Sequence, residues 1–331
     1  MFADRQTLEL WTGRTDPEAD ALRWHQCIQP LAAGSAPGMA LLGFACDEGV
    51  RRNQGRTGAA EGPVALRRAL ANVAWQRQGP AYDAGDIRCA DGDLEGAQQR
   101  LAEGVCLLLD AGHLPLVLGG GHEVAWASWS GLALHLAKTL PTPRIGIVNF
   151  DAHLDLRDPT RGATSGTPFA QIAAHCAHHD WPFRYACLGL SLAANTRTLL
   201  RRAAELDVLI REDHEIREGS LERIGAELDA FAAGCDALYL TFDLDVLPAG
   251  EAPGVSAPAA HGVSLALLEP LIRRLKASGK LRLADVAELN PALDQDGRTA
   301  RVAARLIHTL ALDLQGLSRT TREEDPHDPL S

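Results

Sequence analysis

The tightest constraint on this chain is a set of short, nearly uninterrupted apolar runs separated by segments of helical periodicity. The runs at 39–44, 116–118, 145–150, 185–190, 208–210, 237–242 and 281–287 show almost no polar alternation. That pattern belongs to strands covered on both faces. Between them, 95–109, 124–136, 196–204, 220–231, 265–275 and 299–310 place apolar residues three and four apart, and 63–70 opens with a proline suited to a first helical turn. Strands alternating with helices predict an α/β chain whose parallel sheet is flanked by helices. Such sheets keep their sites where strands end at the carboxyl edge, so the residues after each run are where function is to be sought.

Composition narrows the partners. With 46% apolar and 23% charged residues in 331, the chain has the make-up of a globular protein with a substantial core. A formal net charge of −11 argues against a nucleic-acid or anionic-membrane partner. No run approaches the ~18 apolar residues of a membrane span. The opening Met-Phe-Ala-Asp-Arg-Gln lacks the basic-then-apolar order of a signal peptide, which makes a cytoplasmic location the expectation. Seven scattered cysteines with no C-x-x-C pair read as reduced structural thiols. The final stretch, 320–331, rich in acidic residues and proline, reads as a flexible tail.

Three of the predicted strands run straight into metal-ligand side chains. The run 116–118 continues as Gly119-Gly120-Gly121-His122-Glu123, 145–150 as Asp151-Ala152-His153-Leu154-Asp155, and 237–242 as Asp243-Leu244-Asp245. Residues two apart at an extended strand end project to the same side, so Asp151, His153 and Asp155 converge, as do Asp243 and Asp245. Four aspartates and two histidines form an oxygen- and nitrogen-rich donor set without thiolate, better suited to Mn2+ than to a soft-ligand zinc site. Four negative charges in one cleft repel strongly unless cations neutralise them, which argues for two metals. Singly, a histidine after a glycine run is more often structural, and a D-x-D pair is usually a solvated loop. Three such clusters at strand ends point to a binuclear site.

The stretches Gly-Gly-Gly-His at 119–122, Asp-Ala-His-Leu-Asp at 151–155 and Thr-Phe-Asp-Leu-Asp at 241–245 resemble the three signatures of the ureohydrolase (arginase and agmatinase) superfamily, in the same order and at similar separations. The likeness runs from about residue 41 to 310. It implies a three-layer α/β/α fold with a central eight-stranded parallel sheet, two Mn2+ per subunit, and a homo-oligomer. It also implies a single arginase-like catalytic domain over 31–319, preceded by an N-terminal extension at 1–30. Carried over by motif, one ion takes His122, Asp151, Asp155 and Asp243. The other takes Asp151, His153, Asp243 and Asp245, with Asp151 and Asp243 bridging. Thr241 replaces the serine usual before the last pair and removes no ligand.

The chemistry expected of such a pair is activation of a bound water for attack on the sp2 carbon of an amidine or guanidine. Asp155 is the natural acceptor and relay for the water's proton. Glu288, in Ala287-Glu288-Leu289-Asn290-Pro291 at another strand end, resembles the family glutamate that pairs with the substrate's cationic nitrogens, although as a bare feature it would be a surface charge.

Local charge separates the candidate substrates. The second motif continues into Arg157, where arginases resemble this chain in position but carry a carboxylate-binding asparagine; an arginine can grip a carboxylate with two hydrogen bonds. The basic loop 47–56, holding Asn53 and Arg56, and its continuation to Pro63 resemble the corresponding loop of formimidoylglutamases. Thr164-Ser165-Gly166-Thr167-Pro168-Phe169 resembles their version of the segment where arginases and agmatinases place a proton-shuttling histidine; here Ser165 stands in that place, able to orient water or donate a hydrogen bond. The resemblance therefore implies an acidic amidine substrate, N-formimidoyl-L-glutamate, cleaved to L-glutamate and formamide in histidine degradation. An arginase- or agmatinase-type hydrolase releasing urea is the rival enzyme. A metal-binding regulatory protein without turnover and a zinc deacetylase on a related fold are the others.

Two features invite over-reading. His175, Cys176, His178 and His179 lack the paired knuckles of Cys/His zinc motifs and read as a solvated helix end. The glycines at 119–121 lack a following Lys-Ser/Thr, so they form no P-loop. Gly254-Val255-Ser256-Ala257-Pro258 is either a pocket-shaping loop or an ordinary turn.

Overall fold

The computed structural model describes residues 5–312. The expected tail at 320–331 and the expected domain end at 319 lie outside the described residues. Among the described residues nine strands form one sheet: β1 (Gln29–Pro30), β2 (Met39–Ala45), β3 (Ala81–Arg88), β4 (Leu114–Leu118), β5 (Ile145–Phe150), β6 (Arg184–Leu190), β7 (Leu209–Glu212), β8 (Ala237–Asp243) and β9 (Leu281–Ala287). Their order is β1-β3-β2-β4-β9-β8-β5-β6-β7, and every pairing is parallel. The expected count of eight is thus exceeded by one. The extra strand accompanies an edge pairing, since the two-residue β1 runs beside β3 through Gln29 and Pro30.

The helices are α1 (Arg5–Leu8), α2 (Trp24–Cys27), α3 (Glu48–Arg52), α4 (Gly62–Ala71), α5 (Leu94–Asp110), α6 (Val124–Leu136), α7 (Pro168–His178), α8 (Arg197–Glu205), α9 (Leu221–Ala233), α10 (Leu265–Ala277) and α11 (Arg298–Ala311). Because side chains alternate across a strand, each strand feeds two cores. On one face Leu238, Leu240 and Phe242 of β8 pack with Leu66 of α4, Leu228 of α9, Ile272 of α10 and Ile307 of α11. On the other, Ala237 and Tyr239 pack with Val105 of α5, Trp129 of α6, Phe169 of α7 and Ala203 of α8. The result is a three-layer α/β/α sandwich.

The chain ahead of the sheet is docked on it. Trp11 donates its indole N–H to Asp83 of β3 at 2.7 Å. Asp83 also receives Arg67 of α4 at 2.8 and 3.0 Å, and Arg67 reaches Asp86 at 2.7 Å. Arg67 and Asp83 are fully buried, and the multiple bonds offset the cost of removing their charges from water.

The topology places the site. Between β4 and β5 the chain crosses over β9 and β8, so the strands β4, β9, β8 and β5 lie side by side in the sheet centre. Leu118, Val286, Phe242 and Phe150 stand in one register row across them. Each chain then leaves the sheet at the same level, delivering Gly119, Glu288, Asp243 and Asp151 to one crevice.

Candidate metal centre

His122 reaches this crevice because three glycines let the backbone hug the sheet. Gly119 N–H bonds Val286 O at 2.8 Å and Gly121 N–H bonds Cys46 O at 3.0 Å. A Cβ on Gly120 would lie 1.7 Å from Cys46 O, a position no side chain can occupy. The His122 backbone N–H then donates to Glu288 Oε1 at 2.8 Å. Its ring Nδ1 faces Asp155 Oδ2 at 2.9 Å, Asp151 Oδ2 at 3.2 Å and Asp243 Oδ2 at 3.4 Å. His153 Nδ1 faces Asp245 Oδ2 at 3.1 Å and Asp151 Oδ1 at 3.4 Å.

Two ligand groups result. His122, Asp151, Asp155 and Asp243 each bring one donor atom within 4.8 Å of the others, and so do Asp151, His153 and Asp245. Asp151 belongs to both, with one oxygen toward each histidine. Asp243 joins the first group but not the second, so the structure brings together one of the two bridges expected from the resemblance. Asp155 and Glu288 have φ of +47° and +69°, left-handed backbone that non-glycine residues seldom adopt and that turns both carboxyl groups inward.

The electrostatics of the cluster call for positive charge. Burial raises the carboxyl pKa of Asp243 well above its ordinary value, and Asp245 and Asp151 push it further. Burial likewise raises Asp155, reinforced by Asp151, and Asp245, where attraction to His153 partly offsets it. Burial opposes ionisation of Asp151 too, but its hydrogen bonds to His122 and His153 overcome this and hold it below the carboxylate range. Asp245 holds the His153 pKa far above the usual imidazole range, against burial. Burial works against charge on His122, yet its bonds to Asp151 and Asp155 outweigh it and raise the pKa well above the ordinary value. Glu288 is pushed up to about 8 by burial and by the nearby charge of Glu123.

These side chains fit two divalent cations. The donors are all oxygen and imidazole nitrogen, the set favoured by Mn2+ over soft-ligand metals. Asp245 Oδ1 is a buried acceptor with no hydrogen-bond partner, an orphan that a cation would satisfy. A supporting layer also orients the ligands. Asn149 donates to Asp151 Oδ2 at 2.9 Å, and the Tyr185 hydroxyl, bonded to the same amide at 3.0 Å, donates to Leu154 O at 3.1 Å.

The cluster lines a cavity of about 360 Å3 together with basic and polar side chains. Arg157, Asn53, Arg56 and Ser165 all line it. Asn53 Nδ2 donates to Ser165 Oγ at 3.2 Å, joining two loops. Arg157 lies along Gly166, where a Cβ would meet its Cδ at 2.7 Å, and it has no carboxylate partner among the described residues. Arg56 is pinned by Ser256 O at 2.9 Å and Val255 O at 2.7 Å, so the loop after the third motif fixes this guanidinium.

Sequence reasoning missed Asn195, which lines the cavity and holds the Asp151–Asp155 turn by bonding Leu154 N–H and Ala152 O. It missed Glu123 as well. Glu123 is buried, pushed up to about 7 by that burial, and accepts Gly49 N–H at 2.9 Å, tying α3 to the His122 loop. No periodicity marks either residue. His175, in the last turn of α7, packs edge-on against Trp126, Trp129 and Trp181, and His179, just past the helix, lies tilted on Trp181, apart from both ligand groups.

Comparison with known proteins agrees with this geometry. The model of the arginase family matches residues 37–312. The chain is 60% identical over 307 residues to the formimidoylglutamase of Aeromonas hydrophila subsp. hydrophila, covering 92% of this chain and 97% of that one. It is similar to the crystal structure of Trypanosoma cruzi formiminoglutamase with Mn2+2, at a TM-score of 0.74 and 28% identity over 84% of this chain and 93% of that chain. It shares the fold of formimidoylglutamase from Bacillus subtilis subsp. subtilis str. 168, with a TM-score of 0.79 and 23% identity over 90% of this chain and 94% of that chain. The chain belongs to the arginase family and is a hydrolase. No helix among the described residues is long and apolar enough to cross a membrane.

Proposed function

We propose that this chain holds two Mn2+ ions and hydrolyses N-formimidoyl-L-glutamate to L-glutamate and formamide, with residues 31–319 as its catalytic domain. The observation that carries the reading is that one cavity is lined both by buried and half-buried carboxylates and imidazoles and by the exposed Arg157 and Arg56, with Asn53 and Ser165. A guanidino substrate without a carboxylate gives the unpaired Arg157 nothing to bind, whereas a dicarboxylic amidine presents a cation to the carboxylates and anions to the arginines. The name of the 60%-identical Aeromonas relative supports the same substrate.

His122, Asp151, Asp155 and Asp243 would hold one ion, and Asp151, His153, Asp243 and Asp245 the other. Such a pair of cations, when bound, would supply Lewis-acid activation of a water, lowering its pKa toward neutrality. Asp155, which belongs to the first ligand group and lies 2.9 Å from His122, would take up a proton from the attacking water at its carboxylate. It returns the proton to the departing glutamate nitrogen as the carbon–nitrogen bond breaks. Glu288 faces the amidinium, and the substrate's positive charge favours the ionised form of this buried acid. Ser165 Oγ accepts from Asn53, which leaves its own O–H free to donate toward substrate or water.

A panel of substrates with Mn2+-reconstituted protein tests this, with formamide and urea assayed separately. Formamide from N-formimidoyl-L-glutamate, with arginine and agmatine nearly untouched, is the expected result. Urea released from either guanidine compound at a comparable rate would overturn it in favour of the guanidine hydrolase.

A further inference from the structure

Among the described residues, seven other than glycine have left-handed backbone: Asp20, Gln54, Asp155, Asp180, Asp207, Glu288 and Asp296. Five are aspartates, a residue type enriched in that region; Gln54 and Glu288 carry longer side chains. Both of these, with Asp155, line the cavity. Asp155 and Glu288 already have parts in the proposed reaction. Gln54 has none.

The strain at Gln54 has a local cause. α3 closes with a Schellman turn, in which Gly55 N–H donates to Val50 O at 2.8 Å and Gln54 N–H to Arg51 O at 3.1 Å. Gln54 is the residue after the cap, with φ of +63°, at a position usually given to glycine. α5, α7 and α8 end on the same long bond, from His113 to Leu108, Trp181 to Cys176 and Val208 to Ala203. There the left-handed residues are Gly112, Asp180 and Asp207. Glutamine has neither the freedom of glycine nor the short polar side chain with which aspartate bonds its own backbone. The chain therefore accepts at 54 a strain that it avoids at three equivalent positions.

No internal contact accounts for this. Gln54 is exposed, and its side chain has no hydrogen-bond partner among the described residues. Its neighbours, by contrast, are pinned. Asn53 bonds Ser165, and Arg56 bonds Ser256 and Val255. A Cβ at Gly55 would come within 2.8 Å of both Ser256 Oγ and Val50 Cγ1, so the turn is packed as well. The Gln54 amide is thus presented from a fixed turn, which lowers the entropy cost of gripping a ligand. A Cβ at Gly166 would lie 2.9 Å from Arg157 Nε and 3.3 Å from Asn53 Nδ2, so the free guanidinium and the residue before Gln54 share one corner of the cavity. An amide offers two N–H donors without charge, and the group that suits it beside a guanidinium is a carboxylate.

We propose that Gln54 is a substrate-binding, specificity-determining residue whose side-chain amide donates to a carboxylate of the acidic amidine, and that the left-handed turn after α3 is retained to present it. This deepens the amidine reading of the site and rests on it.

The test uses the full chain reconstituted with Mn2+, as wild type, Gln54→Gly, Gln54→Ala and Gln54→Glu. Kinetics are measured on N-formimidoyl-L-glutamate. Two monocarboxylates, N-formimidoyl-4-aminobutyrate and N-formimidoyl-L-2-aminobutyrate, are measured as substrates or as competitive inhibitors, and thermal melts accompany each variant. Gln54→Gly is expected to melt above Gln54→Ala and no lower than wild type, because glycine releases the strain. Both variants are expected to raise KM for the dicarboxylic substrate by roughly 10- to 100-fold, the loss of a hydrogen bond to a charged group, with a smaller change in kcat. Gln54→Glu should raise KM further, since like charges then meet. For the monocarboxylate that lacks the contacted group, Gln54→Gly should change binding by no more than about 2-fold. Unchanged KM, a rise in only one of the glycine and alanine variants, or an equal penalty on all three compounds overturns the proposal and leaves the amidine reading intact. A wild-type protein that releases no formamide from the dicarboxylic amidine removes both.

Discussion

The Glu288 carboxylate accepts the backbone N–H of His122 at 2.8 Å, so the residue proposed to face the substrate cation also holds the loop that carries the proposed ligand His122. The two roles separate by substitution. Glu288→Gln keeps an oxygen for the His122 N–H but loses the negative charge. Removing one partner of a buried charge pair costs about 2–5 kcal/mol. We expect kcat/KM for the amidine substrate to fall by roughly 30- to 5,000-fold, with Mn2+ stoichiometry unchanged. Steady-state kinetics beside metal analysis checks this, and a variant that loses its metal would show the structural role to dominate.

Arg157 tests the basic lining of the cavity. Its guanidinium lies on the cavity wall with no carboxylate of its own among the described residues. Removing it should therefore leave the fold intact and cost substrate binding. A hydrogen bond to a charged group contributes about 1.5–3 kcal/mol. Arg157→Ala should raise KM by roughly 10- to 100-fold with a smaller effect on kcat and none on thermal stability beyond about 0.5 kcal/mol. Arg157→Lys should recover part of the loss, since an ammonium lacks the planar fork. A large fall in kcat at unchanged KM would place Arg157 in the chemistry instead.

The glycine run makes a steric prediction. At Gly120 an added Cβ would fall 1.7 Å from Cys46 O, a backbone atom that cannot rotate away. Gly120→Ala must therefore push the 119–123 loop off β2, and His122 moves with it. We expect destabilisation of about 1–3 kcal/mol, as for other overpacked sites, together with weaker Mn2+ binding. Gly250→Ala is a suitable control, because nothing lies within 4 Å of a Cβ there. Denaturant melts and metal titration of both variants would settle it, and a Gly120→Ala protein with wild-type metal affinity would contradict the account.

How much of this was legible beforehand follows from where each residue stands. The apolar runs at 145–150 and 237–242 became β5 and β8, and the acidic clusters after them became the ligand groups. That inference is robust because a parallel sheet buries both faces of its strands and exposes their carboxyl ends. β3 escaped notice because Asp83, Gly85 and Asp86 interrupt its apolar pattern. Those acids are buried through Arg67 of α4, a tertiary pairing that no local pattern encodes. β1 is too short to leave a pattern. The supporting residues Asn149, bonded to Asp151, and Thr241, bonded to His122, were visible in principle as single polar residues inside apolar runs. In a strand covered on both faces such a residue must find a buried partner, but the partner's identity depends on strand order, and β4-β9-β8-β5 cannot be read from the chain's own order.

The metal-free protein should lose stability as pH rises, and added Mn2+ should reverse the trend. Burial pushes Glu123 up to about 7, and burial with the charge of Glu123 pushes Glu288 up to about 8. Both lie above the ~4.3 of a free glutamate. Between those values the folded chain holds more protons than the unfolded one, so raising the pH favours unfolding. Asp155, Asp243 and Asp245, also raised, act in the same direction. The raised pKa values of His122 and His153 do so too, since their stabilising charge is present at low pH and lost as pH passes the folded-state values. Asp151 is depressed and opposes this, but its contribution is lost only in strong acid, below the ordinary carboxylate range. Metal binding inverts the balance because it needs the ligands deprotonated and releases their protons. Thermal melts of chelator-treated protein should therefore show a higher midpoint near pH ~5.5 than near pH ~8, by the linkage of bound protons to stability. Melts with saturating Mn2+ should show the larger metal-induced rise at the higher pH. A chelated protein that instead gains stability across this interval would mean that the carboxyl groups are ionised without a counter-charge, and the electrostatic case for two cations would fail with it.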